Sequence, residues 1–191
     1  LYKGGTCNGP GFAKCLHCAS GQYGVARATA LTTGLTLTRP LRRRRVDRYI
    51  AVSTAVARAC SSLIDGDHAA IEVIPPFLKD ESLERGYKAR PDFVPATGDY
   101  IMFAGALSAH KGIHILLEAY EAMDTEVPLV IVGLRNAATT FRLPDGVIAV
   151  ENVAHDKVLS AWANSAVAVV PSCWPDPSPL TAIEAMAAGR P

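Results

Sequence analysis

Two carboxylates, Asp176 and Glu184, bracket a short stretch with the makings of an anion site. Between them, Ser178-Pro179 is predicted to open a helix, with the serine as N-cap and the proline at the first helical position. The backbone N–H groups of Leu180 and Thr181 come next, at the positive end of the helix dipole, where they can hold a phosphate. Lys111, in Ser108-Ala109-His110-Lys111-Gly112, is the matching cation. It follows a predicted strand and can set its ammonium on a diphosphate, while Gly105 lets the backbone come close. N–H donors for phosphate and carboxylates for hydroxyls together suit a sugar joined to a nucleotide diphosphate. Each residue alone has a plainer reading: Lys111 as a solvated loop lysine, Asp176 as a turn aspartate between prolines, Glu184 as an ordinary helix glutamate. The apolar neighbours Ile183, Ala185, Met186 and Ala187 instead put Glu184 at the edge of a cleft.

The elements that must position these residues alternate from Tyr100 onward. Strands are predicted at Tyr100 to Ala104, Leu129 to Val132, Val147 to Val150 and Ala166 to Val170. Helices are predicted at Ile113 to Met123, His155 to Ala163 and Pro179 to Ala188. Such alternation implies an α/β fold, a parallel sheet with right-handed crossovers and flanking helices. Ligands of these sheets bind beyond the carboxyl ends of the strands, and Gly105, Lys111, Gly133, Pro171 and Asp176 all fall there. The continuous apolar run Ala166 to Val170 reads as a strand covered on both faces, stopped by Pro171, Pro175 and Pro177.

Before Tyr100 the pattern differs. Ala26 to Leu37 is predicted helical. Tyr49 to Val52 reads as a strand, Ser53 as an N-cap, Thr54 to Ile64 as a helix and Ile71 to Ile74 as a second strand before Pro75-Pro76. The polar stretch Lys79 to Gly98 reads as a connection and surface loop. The expected plan is therefore residues 1–74 as one domain, 75–98 as connection and 99–191 as the second domain. Arg39 to Arg48 is the most basic segment, read as a solvated helix face or, through Arg42–Arg45, as a peripheral contact with anionic lipid head groups. Cys7, Cys15 and Cys18 are spaced C-x7-C-x2-C. They read either as reduced loop cysteines or as part of a structural zinc site that needs a fourth ligand.

With 49% hydrophobic and 19% charged residues and a net charge of +1, the chain is expected to be soluble and globular, with no global pull toward nucleic acid. It shows no bilayer-length apolar run and no signal-peptide pattern. Leu1 is not an initiator methionine, and the chain stops at Gly189-Arg190-Pro191, so it reads as a piece of a longer protein.

Asp176-x7-Glu184 resembles the E-x7-E signature of retaining glycosyltransferases with the GT-B fold, family 4 (glycosyl transferases group 1). The resemblance runs through ordered blocks: Phe103-Ala104-Gly105-Ala106-Leu107 with Lys111-Gly112 and Leu116-Leu117-Glu118-Ala119-Tyr120, then Pro128 to Gly133, Val170-Pro171-Ser172, and Glu184-Ala185-Met186-Ala187-Ala188-Gly189. It extends from about Asp47 to the last residue. It implies two Rossmann-like domains, of which 99–191 is part of the nucleotide-sugar donor half and 1–74 the end of the acceptor half.

The implied reaction is hexosyl or related glycosyl transfer from a nucleotide-diphosphate sugar to a hydroxyl acceptor, a saccharide or a lipid-linked glycan, with retention. The resemblance gives Lys111 the leaving diphosphate, Asp176 the donor-sugar hydroxyls and Glu184 the ribose hydroxyls. It implies no metal for catalysis and a cytoplasmic setting, at the inner face of a membrane in relatives with lipid-linked acceptors. In this setting a disulfide is not expected. The chain departs from the family pattern in places. Ala106 stands where an arginine is usual, with Arg135 or a residue beyond Pro191 as the compensating candidate. Asp176 is one methylene shorter than glutamate, and Glu151-Asn152-Val153 stands where a glycine is common. No general base is assigned among His110, His114 and His155. The rival expectation is a non-catalytic chain, either a donor-domain relic or a zinc-containing interaction module.

Overall fold

The computed structural model describes residues 9, 11–61, 70–78, 89–135 and 141–191, with Arg42 and Arg43 described by backbone only. The chain divides into two units, Leu1–Pro75 and Pro76–Pro191. In the first, α1 (Phe12–Tyr23) and α2 (Val25–Leu37) are joined through Gly24 alone, whose φ of 78° a side chain would resist. The two helices pack on each other, and Ala28 and Thr32, four residues apart on one stripe of α2, are its buried positions.

Cys15 and Cys18 lie one turn apart on α1, not in the expected loop, because no proline interrupts the run between Gly11 and Gly24. Both thiols are free. Cys7 lies outside the described residues, and among those described no three His, Cys, Asp or Glu side chains gather as a metal site. Cys15 and Cys18 amount to two of the four ligands that a structural zinc takes.

The arginine run forms α3 (Arg39–Arg45), with Pro40 in its first turn, where a proline's missing N–H costs nothing. Two parallel strands follow, β1 (Arg48–Ala51) and β2 (Ala70–Val73), paired from Arg48↔Ala70 to Ala51↔Val73. Between them α4 (Thr54–Cys60) starts at Ser53, whose hydroxyl accepts the Val56 N–H at 3.3 Å, the expected N-cap. Residues 62–64 of the helix expected to reach Ile64, and residues 79–88 of the expected connection, lie outside the described residues. Among the described residues no helix is long and apolar enough to cross a membrane.

The second unit is built on four parallel strands in the order β5-β4-β3-β6. They are β3 (Ile101–Ala104), β4 (Leu129–Val132), β5 (Val147–Val150) and β6 (Val167–Ala168). A 3₁₀ turn (Ala109–Lys111) and α5 (Ile113–Met123) connect β3 to β4, α6 (His155–Asn164) connects β5 to β6, and α7 (Leu180–Ala187) follows β6. The two-residue period of the strands sorts their side chains between two layers. Phe103, Leu129 and Ile131 pack with Ile113, Leu116, Leu117 and Tyr120 of α5. Met102, Ala104, Val130 and Val132 pack with Leu159, Ala161 and Trp162 of α6 and Ala185 of α7. Residues 89–98, expected in the connection, join this second layer: Val94 is buried there, and Arg90 Nη1 donates to the carbonyls of Pro95 (2.7 Å) and Gly98 (2.9 Å).

β6 departs from the expectation of a five-residue strand covered on both faces. Only Val167 and Ala168 pair as a strand with β3, although Ala166 N–H donates to Tyr100 O and Val169 N–H to Met102 O. Val170 is 39% exposed. Within the described sheet β6 is an edge, and there Ala168 N–H donates to the Pro191 carbonyl at 2.9 Å.

Candidate active site

β3 sends its chain to β4 on one side, while β6 pairs with β3 on the other. The loops leaving the carboxyl ends of β3 and β6 therefore diverge, and the crevice between them is where α/β sheets bind ligands. A hollow of about 320 Å³ opens there. Its walls are Phe103 to Ala106 after β3, Lys111 on the 3₁₀ turn, Val170 and Ser172 after β6, Asp176, and Ser178 to Thr181 at the start of α7. Of the six donor-site residues read from the sequence, Gly105, Lys111, Asp176, Leu180 and Thr181 share this hollow.

Close backbone packing builds the walls. A Cβ on Gly133 would sit 1.8 Å from the Gly105 carbonyl oxygen, so only glycine lets the loops after β3 and β4 meet. There Gly105 N–H donates to Val132 O and Leu107 N–H to Leu134 O. Gly112 has φ of 74°, and its missing Cβ would fall 1.9 Å from the Pro171 carbonyl oxygen. Cys173 N–H donates to His110 O at 3.0 Å, and the His110 and Trp174 rings meet edge to face with centroids 5.5 Å apart. The turn that carries Lys111 and the loop that carries Asp176 are thus fastened together. Lys111 Nζ donates to Asp176 Oδ2, with the two side chains 27% and 13% exposed.

The start of α7 lies one residue later than predicted. Pro179, at ψ 108°, is the cap residue, and its carbonyl accepts from Ala182 N–H (3.1 Å) and Ile183 N–H (3.4 Å). No side chain caps the helix, and Ser178 lines the hollow instead. Leu180 and Thr181 are thereby the first two helical residues, and their N–H groups remain available at the positive end of the dipole.

Glu184, the sixth residue, does not line the hollow. It is 7% exposed, and α6 engages both its oxygens: His155 Nε2 lies 2.8 Å from Oε1, and Trp162 Nε1–H donates to Oε2 at 3.3 Å. His155 opens the helix expected over His155 to Ala163, and Trp162 lies within it. Their spacing of seven residues, two turns of one face, was the available signal.

Arg135, the candidate for the role of the missing arginine, is engaged elsewhere. Its Nε is 3.3 Å from Glu151 Oε1, and its guanidinium lies 5.4 Å from the Phe141 ring centre. Among the described residues lining the hollow, Lys111 is thus the single cation. Asn152, in the Glu151-Asn152-Val153 stretch, adopts φ of 55°, a left-handed backbone that asparagine tolerates better than most residues.

Residues 88–191 match the family "Glycosyl transferases group 1". Among solved structures, the chain is similar to sucrose-phosphate synthase from Thermosynechococcus elongatus, with a TM-score of 0.61 and 22% identity. The likeness covers 78% of this chain and 41% of that one, so this chain spans about two-fifths of the length of that relative. At that identity the likeness concerns fold, the Rossmann-like parallel sheet and flanking helices of a GT-B glycosyltransferase. No curated protein matches the chain. The family match takes in more than half of the 191 residues, and the chain belongs to the glycosyl transferases group 1 family.

Proposed function

We propose that the protein transfers a glycosyl group from a nucleotide-diphosphate sugar to a hydroxyl acceptor, a saccharide or lipid-linked glycan, with retention at the anomeric carbon. One observation carries this reading: an ammonium, a carboxylate and the uncapped N-terminus of α7 share one hollow at the switch point of the sheet. The bond between the anomeric carbon and the diphosphate oxygen breaks, its electron pair leaves on the diphosphate, and the acceptor oxygen bonds to the carbon as its hydroxyl proton passes to the departing diphosphate. Lys111 and the N–H groups of Leu180 and Thr181 stabilise the charge that grows on the leaving group. Because those groups supply the positive charge, the step needs no metal. Asp176 accepts from hydroxyls of the donor sugar. Glu184 serves the ribose from the α6–α7 contact, where His155 and Trp162 hold its carboxylate.

The test uses the full chain with UDP-, GDP- and ADP-sugars and a panel of hydroxyl acceptors, with the product's anomeric configuration read by proton NMR. The expected result is a product with the donor's configuration, formed at the same rate in EDTA. A product of inverted configuration ends the retaining reading. The absence of any nucleotide-dependent thermal shift ends the donor reading.

A further inference from the structure

Among its described lining residues the hollow carries one cation and one anion, and they are paired with each other. A diphosphate approaching Lys111 therefore meets a competitor already in place. It also meets a site with no net formal charge, because Ala106 brings none and Arg135 is turned to Glu151. The N-terminus of α7 adds only about half a positive charge. Asp176 is 13% exposed, so solvent and salt do little to screen its repulsion of a phosphate.

We infer, resting on the donor reading above, that Asp176 is a specificity residue working by exchange: it yields Lys111 to the diphosphate only when a sugar hydroxyl replaces the ammonium as its partner. An intact donor supplies both halves of the exchange, phosphate oxygens for Lys111 and hydroxyl donors for Asp176. A spent nucleoside diphosphate supplies only the first and leaves a shielded carboxylate beside its own charge. The site thereby prefers donor over product. After transfer, the return of Asp176 to Lys111 drives the nucleotide out. Because the loop of Asp176 is fastened to the turn of Lys111 through Gly112, Cys173 and His110, the two groups stay within reach of one another throughout.

The experiment is calorimetric binding of UDP, GDP, ADP, TDP and inorganic pyrophosphate, and of the corresponding nucleotide sugars, to the full chain. The proteins compared are the parent chain, Asp176→Asn, Asp176→Glu, Lys111→Gln and the Lys111→Gln/Asp176→Asn pair. The expected result is that Asp176→Asn binds the bare diphosphate roughly tenfold more tightly, the scale of one lost charge-assisted contact, while the intact donor gains nothing. Asp176→Glu keeps the preference for donor, and the gain from Asp176→Asn shrinks when Lys111 is already glutamine. If the parent chain binds a nucleoside diphosphate and Asp176→Asn binds it no more tightly, the exchange is wrong and the donor reading stands. A gain that is undiminished without Lys111 reduces Asp176 to simple repulsion and also overturns the exchange. If the parent chain binds no diphosphate or nucleotide sugar, both readings fall together.

Discussion

His155, the first residue of α6, holds its Nε2 2.8 Å from Oε1 of Glu184 on α7, while Trp162, two turns further along α6, donates to the other oxygen. A carboxylate this enclosed persists only because both oxygens are answered. Trp162 is fully buried, and Trp162→Phe removes the N–H with modest loss of ring volume. The expected loss is about 1–3 kcal/mol of stability, seen as a lower urea midpoint with an unchanged slope. His155 is 62% exposed, so His155→Ala should cost less than Trp162→Phe, and His155→Gln, which keeps a donor, less again. Equal midpoints across the series would show that the contact between α6 and α7 rests on packing alone.

Lys111 is the single described cation in the hollow, and its removal has a definite size. Lys111→Gln should weaken nucleoside diphosphate binding by roughly 10- to 100-fold, given about 1.5–3 kcal/mol for a hydrogen bond to a charged group. Arg135→Gln should leave that affinity unchanged, since its guanidinium is committed to Glu151. Titration calorimetry on the two variants decides the matter. A larger effect at Arg135 would mean that the cation serving the phosphate had been misassigned.

The repeating apolar pattern made β3, β4, β5 and α5 legible almost to the residue, because each is long or regular enough for period and burial to agree. The strand after α6 was not, because an apolar run does not reveal how many of its residues find a partner: the pairing with β3 stops at Met102↔Ala168, although β3 itself runs on to Ala104. Lys111, Asp176 and the start of α7 were legible as separate local signals. Their junction was not, since it depends on Pro171 O packing against Gly112 and on the N–H of Cys173, backbone contacts without a side-chain signature. Glu184 was read as facing the cleft from its apolar neighbours. The same neighbours leave open which groups meet its carboxylate, and His155 and Trp162 come from α6, an element that those neighbours do not point to.

Gly112 offers a way to separate strain from collision. Gly112→Ala forces a side chain into φ of 74° and drives its Cβ to 1.9 Å from the Pro171 carbonyl oxygen. Gly98, at φ of 81°, has nothing within 4 Å of the same position. Gly98→Ala should therefore cost only the left-handed penalty of about 1–2 kcal/mol. Gly112→Ala should cost clearly more and also weaken binding of the intact nucleotide sugar, because the loop bearing Asp176 must move. Equal melting midpoints for the two variants would mean that the loop yields freely and does not position Asp176.

Alkaline unfolding should report on Tyr100, whose burial pushes its phenol from 10.0 up to about 12 against the smaller opposing pull of Arg90 and Arg190. Below pH 10 the phenol is neutral in both folded and unfolded chains, and its full contribution to stability is present. Between pH 10 and 12 the unfolded chain loses the proton while the folded chain keeps it, so stability falls as pH rises and is gone once the folded group ionises. The decline is on the order of 1.4 kcal/mol per pH unit. Tyr100→Phe removes it but forfeits the hydroxyl's hydrogen bond to the Ala161 carbonyl at 2.6 Å. At neutral pH the variant should be less stable by about 1 kcal/mol, and its flatter curve should cross that of the parent chain above pH 10. Urea midpoints measured from pH 7 to 12 test this, and parallel curves would show that another group controls the alkaline transition.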